Sequence, residues 1–86
     1  MRIVVDEKAD ALYVFFSDAR PASTVFVDEE NATLVDLGPG GELLGIEVIY
    51  LCRDWTRQLE RILTDYSIGE AEAAELRLLA GPNNTV

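Results

Sequence analysis

The sequence predicts an α+β fold, an antiparallel β-meander of about five strands followed by two C-terminal helices packing on the sheet. Three observations predict it. Up to about residue 51 the apolar residues fall in short runs rich in β-branched and aromatic types, which suit a pleated surface. Polar breaks of about four to six residues separate these runs, enough for antiparallel neighbours and too short for parallel crossovers. After Cys52 the apolar period changes to three and four residues, the spacing of a helix face.

In chain order, residues 2 to 5 (RIVV) form the first strand, and Asp6 to Asp10 form a turn. The second strand is 11 to 17 (ALYVFFS), and the break from Asp18 to Ala22, which includes Pro21, leads to a third at 23 to 28 (STVFVD). Asp28-Glu29-Glu30-Asn31 makes a turn in which Asn31 suits the left-handed conformation. The fourth strand is 32 to 37 (ATLVDL), Gly38-Pro39-Gly40-Gly41 is a hairpin loop, and the fifth strand is 42 to 51 (ELLGIEVIYL). Trp55, Leu59, Ile62, Leu63 and Tyr66 then line one side of a helix from about 54 to 65, with Asp54 as its start cap. Ser67-Ile68-Gly69-Glu70 has the form of a capping box, so a second helix runs from about 68 to 79 and is stopped by Gly81-Pro82. The chain is one domain, 1–86, with the meander over 1–51, the helical extension over 52–80 and a fraying tail at 81–86.

A chain of 86 residues buries roughly 60 to 65% of its unfolded surface, enough for one modest core. Yet its strands are apolar on both faces. In the second, Leu12, Val14 and Phe16 point one way and Ala11, Tyr13 and Phe15 the other. In the fifth, Leu44, Ile46, Val48 and Tyr50 oppose Leu43, Ile49 and Leu51. A 12-residue helix is only about 18 Å long, so one or two of these do not readily blanket both sides of a five-stranded sheet. Either the second helix wraps to the far side or another chain covers it, and self-association is the favoured expectation.

Sixteen acids against seven bases give a formal charge of −9, spread along the chain. That field repels nucleic acid and anionic membrane surfaces, and a basic protein is its natural complement. No apolar run reaches the 18 residues of a membrane span, and Met1-Arg2-Ile3-Val4 meets Asp6 too soon for a signal peptide, so a cytoplasmic protein is expected. The single cysteine, Cys52, agrees with a reducing compartment and reads as a small packed hydrophobe.

Two segments resemble a known family. Asp6-Glu7-Lys8-Ala9-Asp10-Ala11-Leu12-Tyr13-Val14, and later Asp36-Leu37-Gly38 with Gly41-Glu42-Leu43-Leu44-Gly45-Ile46-Glu47-Val48-Ile49, are similar to the signature segments of domain-of-unknown-function family 2283, small prokaryotic proteins. The resemblance covers residues 1 to about 51; Val5 stands where the family usually has tyrosine, and the stretch 53–86 is longer than many members' tails. The resemblance implies a small antiparallel sheet with helix, no established activity, and an antitoxin-like or toxin-neighbour role.

Chemistry has few carriers in this chain. It has no histidine, so Ser-His and Cys-His nucleophile arrangements are excluded and acid–base work falls to Asp and Glu. Asp36 and Glu47 sit inside apolar strands, where acids need solvent or a partner. With a four-residue loop at Gly38 to Gly41, Asp36 faces Leu43 and Glu47 faces Ala32. The two acids then share a face about 13 Å apart, beyond the about 5 to 9.5 Å of a hydrolytic carboxylate pair. Asp6 and Asp10 read as turn acids bonded to backbone amides, and Asp6, Glu7 and Asp10 as an incomplete divalent-cation trio. The glycine loop precedes a strand and lacks the Gly-Lys-Ser/Thr ending of a phosphate cradle, so no cofactor is expected. Arg53, Arg57 and Arg61 form a basic helix stripe, paired with Glu60 or Asp65 or set against the acidic sheet face of a second subunit.

The sequence thus predicts a non-enzymatic, acidic interaction module, dimeric and binding a protein partner, with Tyr13, Phe15, Leu43, Ile49, Leu51, Arg53, Arg57 and Arg61 as candidate interface residues. The alternative is a small-molecule- or divalent-metal-binding domain or enzyme using Asp6, Asp10, Asp36 or Glu47.

Overall fold

A computed structural model describes residues 1–30, 32–49 and 54–81. The elements are β1 (Arg2–Asp6), β2 (Ala11–Phe15), β3 (Ser23–Asp28), β4 (Thr33–Leu37), β5 (Leu43–Ile49), α1 (Thr56–Asp65) and α2 (Glu70–Ala80). All strand pairs are antiparallel, and the five-strand sheet with two C-terminal helices is the predicted α+β class. Strand order, β1-β2-β5-β4-β3, departs from a simple meander. The β1–β2 hairpin joins a β3–β4–β5 meander through β2 and β5, because those two strands carry the densest two-sided apolar sequence and gain most from a central position. The connection from Phe16 to Ala22 therefore crosses the ends of β5 and β4, and Ala22 N–H donates to Leu37 O at 2.8 Å as it enters β3.

Alternation along the strands sends Leu12 and Val14 of β2, Val35 of β4 and Ile46 and Val48 of β5 to one side. There they meet Trp55 together with Leu59 and Ile62 of α1 and Leu76 and Ala80 of α2 in one buried cluster. Both helices therefore cover the same face. The start of α1 is tied to the end of α2: Trp55 N–H and Thr56 Oγ1 donate to Ala80 O at 3.1 and 3.3 Å. Farther along, Arg77 bonds Glu60 through two nitrogens at 2.8 and 3.0 Å.

The N-cap of α1 is Trp55, which makes no side-chain cap bond, and the predicted cap Asp54 stands one residue earlier, its Oδ1 accepting from Thr56 N–H, the first helical amide, at 2.9 Å. The capping box at Ser67 does not form. The helix begins at Glu70 with Gly69 as its N-cap and no side-chain cap bond, because the start falls too late for Ser67 to reach the third amide. Among the described residues of the β3–β4 turn, Ala32 is left-handed, at φ 44°. The expectations placed on Asn31, Tyr50, Leu51, Cys52, Arg53 and residues 82–86 lie outside the described residues. Among the described residues no helix is long and apolar enough to cross a membrane.

Candidate functional site

The face of the sheet away from the helices is built from cross-strand rows. One row runs Val4, Tyr13, Glu47, Leu34, Phe26 from β1 to β3. The next runs Arg2, Phe15, Gly45, Asp36, Thr24. Neither α1 nor α2 covers these rows, and their outer apolar residues stay open, Val4 at 40% and Phe26 at 54% exposure. Tyr13, Phe15, Leu34 and Ile49 are half-buried by their neighbours alone. The Tyr13 and Phe15 rings stack 6.3 Å apart, and the Arg2 guanidinium lies 4.5 Å above the Phe15 ring while pairing with Asp18 at 3.1 Å.

At the centre of this face the structure corrects the predicted register. A one-residue bulge after Asp36 places Leu37 opposite Leu43 and Asp36 opposite Gly45. The loop closes with Gly38 N–H on Glu42 O at 2.9 Å, so it takes up one residue more than the four expected. Asp36 and Glu47 become diagonal neighbours in hydrogen-bond contact, where a gap of about 13 Å was expected. Thr24 Oγ1 donates to Asp36 Oδ1 at 2.7 Å. Burial, then the negative charge of Asp36, then the hydrogen bond between the two carboxyl groups all raise the pKa of Glu47 above its usual value. Gly45 leaves space beside them, since a Cβ there would lie 3.6 Å from Asp36 Oδ2 and 2.9 Å from Val14 O. A hollow of about 350 Å³ opens next to the pair, walled by Arg2, Phe15, Ser17, Arg20, Asp36 and Leu44.

The bulge also moves Leu43. It packs against the helix-side core, so it does not belong with Tyr13, Phe15 and Ile49 on the open face, and Leu44 turns toward the hollow instead. Arg57 and Arg61 lie on α1, on the opposite side of the molecule from those three. Arg61 reaches Val27 O at 3.4 Å, and Glu60 is held by Arg77, so the predicted pairing within the stripe gives way to bonds between elements. Asp6 and Asp10 shape the first turn: Ala9 N–H donates to Asp6 Oδ1 at 3.1 Å, and Asp10 adopts φ 52°. Among the described residues no group of three or more Asp, Glu, His or Cys could hold a metal ion. Sequence reasoning missed Val4, Thr24, Leu34 and Phe26 as members of the open face. Their alternation was visible, but which rows they join depends on the β2–β5 pairing.

These features define a small acidic α+β domain with one sheet face covered by its own helices and the other, among the described residues, left uncovered by either helix around a carboxyl pair. The family model described as protein of unknown function (DUF2283) matches residues 2–50, and the chain belongs to that family. The matched region holds all five strands, and both helices follow it. Comparison with the curated proteins and with the solved structures gave no match.

Proposed function

We propose that the chain is a non-enzymatic protein-interaction module that docks through the sheet face opposite its helices. The observation that carries this reading is the apolar row of Val4, Tyr13, Leu34 and Phe26, which neither helix covers although the molecule has apolar surface to bury. The charge of −9 favours basic protein partners, the chemistry of a small toxin-like protein, and the single cysteine fits work in the cytoplasm. The test is a photo-crosslinking residue placed at Phe26 on the open face and, as control, at Leu78 on α2, followed by mass analysis of the adducts formed in cells. Protein adducts at Phe26 that are absent at Leu78 are expected. Equal yields at both positions, or none at Phe26, overturn the reading.

One observation favours a second reading, a small-molecule- or divalent-ion-binding site. The Asp36–Glu47 pair stands beside the hollow with Arg2 and Arg20, a mixture of charges that suits a small polar ligand. Binding to the folded state must raise the melting temperature. Unchanged melting in calcium, magnesium, manganese and a panel of amino acids and organic acids removes this reading.

A further inference from the structure

We propose that the occupant of the open face is a second copy of this chain, related by a two-fold axis lying along β5, so that the two Glu47 carboxyl groups meet on the axis and make the contact acid-dependent. The inference rests on the docking reading above and names its partner.

The row through Glu47 is its own complement. Counted outward from β5, an acid is flanked by Tyr13 and Leu34, and these by Val4 and Phe26. A two-fold along the central strand lays β1 over the partner's β3 and β2 over its β4, as an isologous contact requires. Tyr13 then rests on a second Leu34 and Val4 on a second Phe26, apolar on apolar throughout except at the axis. The neighbouring row adds charge complementarity. It sets Phe15 over the other copy's Asp36, and the Arg2 guanidinium already lies over the Phe15 ring, 4.5 Å from its centroid, so a cation is brought toward each Asp36. Gly45 faces Gly45, which leaves room for these longer side chains between sheets about 10 Å apart.

Extent bounds the strength of the contact. Five strands of about five residues, at about 3.3 Å per residue and 4.8 Å between strands, outline roughly 400 Å² on each copy. That lies at the low end of specific interfaces, so the dimer is weak and concentration-dependent.

Besides Glu47, the ionisable groups on this face are Asp36 from β4, Tyr13 from β2, Arg2 and Asp6 from β1 toward the rim, and Asp18 and Arg20 from the β2–β3 connection, Asp18 paired with Arg2; β3 adds Thr24 and Phe26, and neither helix packs here. Two facing Glu47 carboxylates cannot both stay charged when water is removed. Pairing therefore takes up protons: the dimer is fully present below the carboxyl pKa of the free chain and is lost as pH rises through that of the dimer. One proton taken up changes affinity by up to about tenfold per pH unit.

The experiment is sedimentation equilibrium over a concentration series at about pH 5 and about pH 8, on the natural chain, Glu47→Gln, Phe26→Glu and Arg2→Glu, each checked for folding by circular dichroism. The expected result is a dimer whose dissociation constant rises tenfold or more across that range. Glu47→Gln should hold its affinity within about twofold over the same range, and Phe26→Glu and Arg2→Glu should weaken association at least tenfold. A natural chain that stays monomeric to about 500 μM at both pH values overturns the inference, as does a dimer indifferent to Phe26→Glu or to pH. The crosslinking at Phe26 separates the failures. Adducts to another protein by a monomeric chain overturn the second-copy inference alone, and absence of adducts overturns the docking reading with it.

Discussion

Leu76→Ala tests whether α2 is bound firmly to the covered face, on which the openness of the other face depends. Leu76 has no exposed surface and sits in the cluster with Trp55, Leu59 and Ile62. Leu and Ala differ little in helix propensity, so the substitution reports burial and the cavity left behind. Fully buried Leu→Ala changes cost about 2–5 kcal/mol; the complete enclosure of Leu76 argues for about 3 kcal/mol, a large part of the roughly 5–10 kcal/mol that a domain of this size has. At about 4–8 °C per kcal/mol the melting temperature falls by about 12 °C or more. Leu78, two positions along the same helix and 88% exposed, is the internal control: Leu78→Ala should stay within about 0.5 kcal/mol. Urea unfolding of the three proteins, followed by tryptophan fluorescence from the buried Trp55, measures both. A loss below about 1 kcal/mol for Leu76→Ala, or equal losses for the two variants, would refute the packing of α2 described here and would free that helix to cover the open face itself.

Glu47→Gln should raise folding stability at neutral pH and leave it unchanged in acid. The folded-state pKa of Glu47 is raised by burial and by Asp36, so its contribution is present below the unfolded value and lost as pH rises through the folded one; urea titrations in the Phe26→Glu background, where association is blocked, check this. Gly45→Ala should destabilise the sheet by about 1–3 kcal/mol, because the new Cβ would lie 2.9 Å from Val14 O, a backbone atom with little room to yield; an unchanged unfolding midpoint counts against the β2–β5 register. Arg77→Ala should destabilise slightly at neutral pH, and less in high salt. Hydrogen bonding to Arg77 holds the Glu60 pKa below its usual value, so this contribution is present above the unfolded pKa and fades as pH falls through the folded one. Melting curves at low and high salt, at neutral and acid pH, measure it.

The elements were legible because their periods are local: Leu12, Val14 and Phe16 alternate, and Leu59, Ile62 and Tyr66 recur at helical steps. Strand order was less so. The connection from Phe16 to Ala22 can reach about 23 Å when extended, which serves an adjacent strand and one three places away equally well. The register of β4 on β5 was illegible for a related reason. The glycines of the 38–41 loop permit more than one closure, and the one adopted, with Gly41 at φ 83°, a fifth loop residue and a bulge beyond Asp36, slips the pairing of Asp36 and Glu47 by two residues, one at the loop and one at the bulge. That slip moves Leu43 into the core and brings Asp36 and Glu47 together. Each acid was visible in the sequence, but their contact depends on the bulge.

The acid pair also bears on why a bare apolar face need not be an indiscriminate one. Val4, Tyr13, Leu34 and Phe26 alone would favour any greasy surface, and β3 is an edge strand with Val25 and Phe26 exposed, a template for unwanted pairing. With Glu47 and Asp36 at its centre, covering this face strips water from two carboxyl groups. That is a penalty of several kcal/mol per charge unless a cation or a proton meets it. An apolar surface that brings neither is rejected, whereas one that places a guanidinium near Asp36 or a neutral acid against Glu47 is accepted. Selectivity of this kind comes from the cost imposed on wrong partners more than from attraction to the right one. It carries a consequence for Asp36→Leu combined with Glu47→Leu: the double variant should bind itself and unrelated apolar surfaces more tightly and with less discrimination, read as a rise in light scattering at concentrations where the natural chain stays clear. Unchanged scattering would mean that the carboxyl pair does not guard the face.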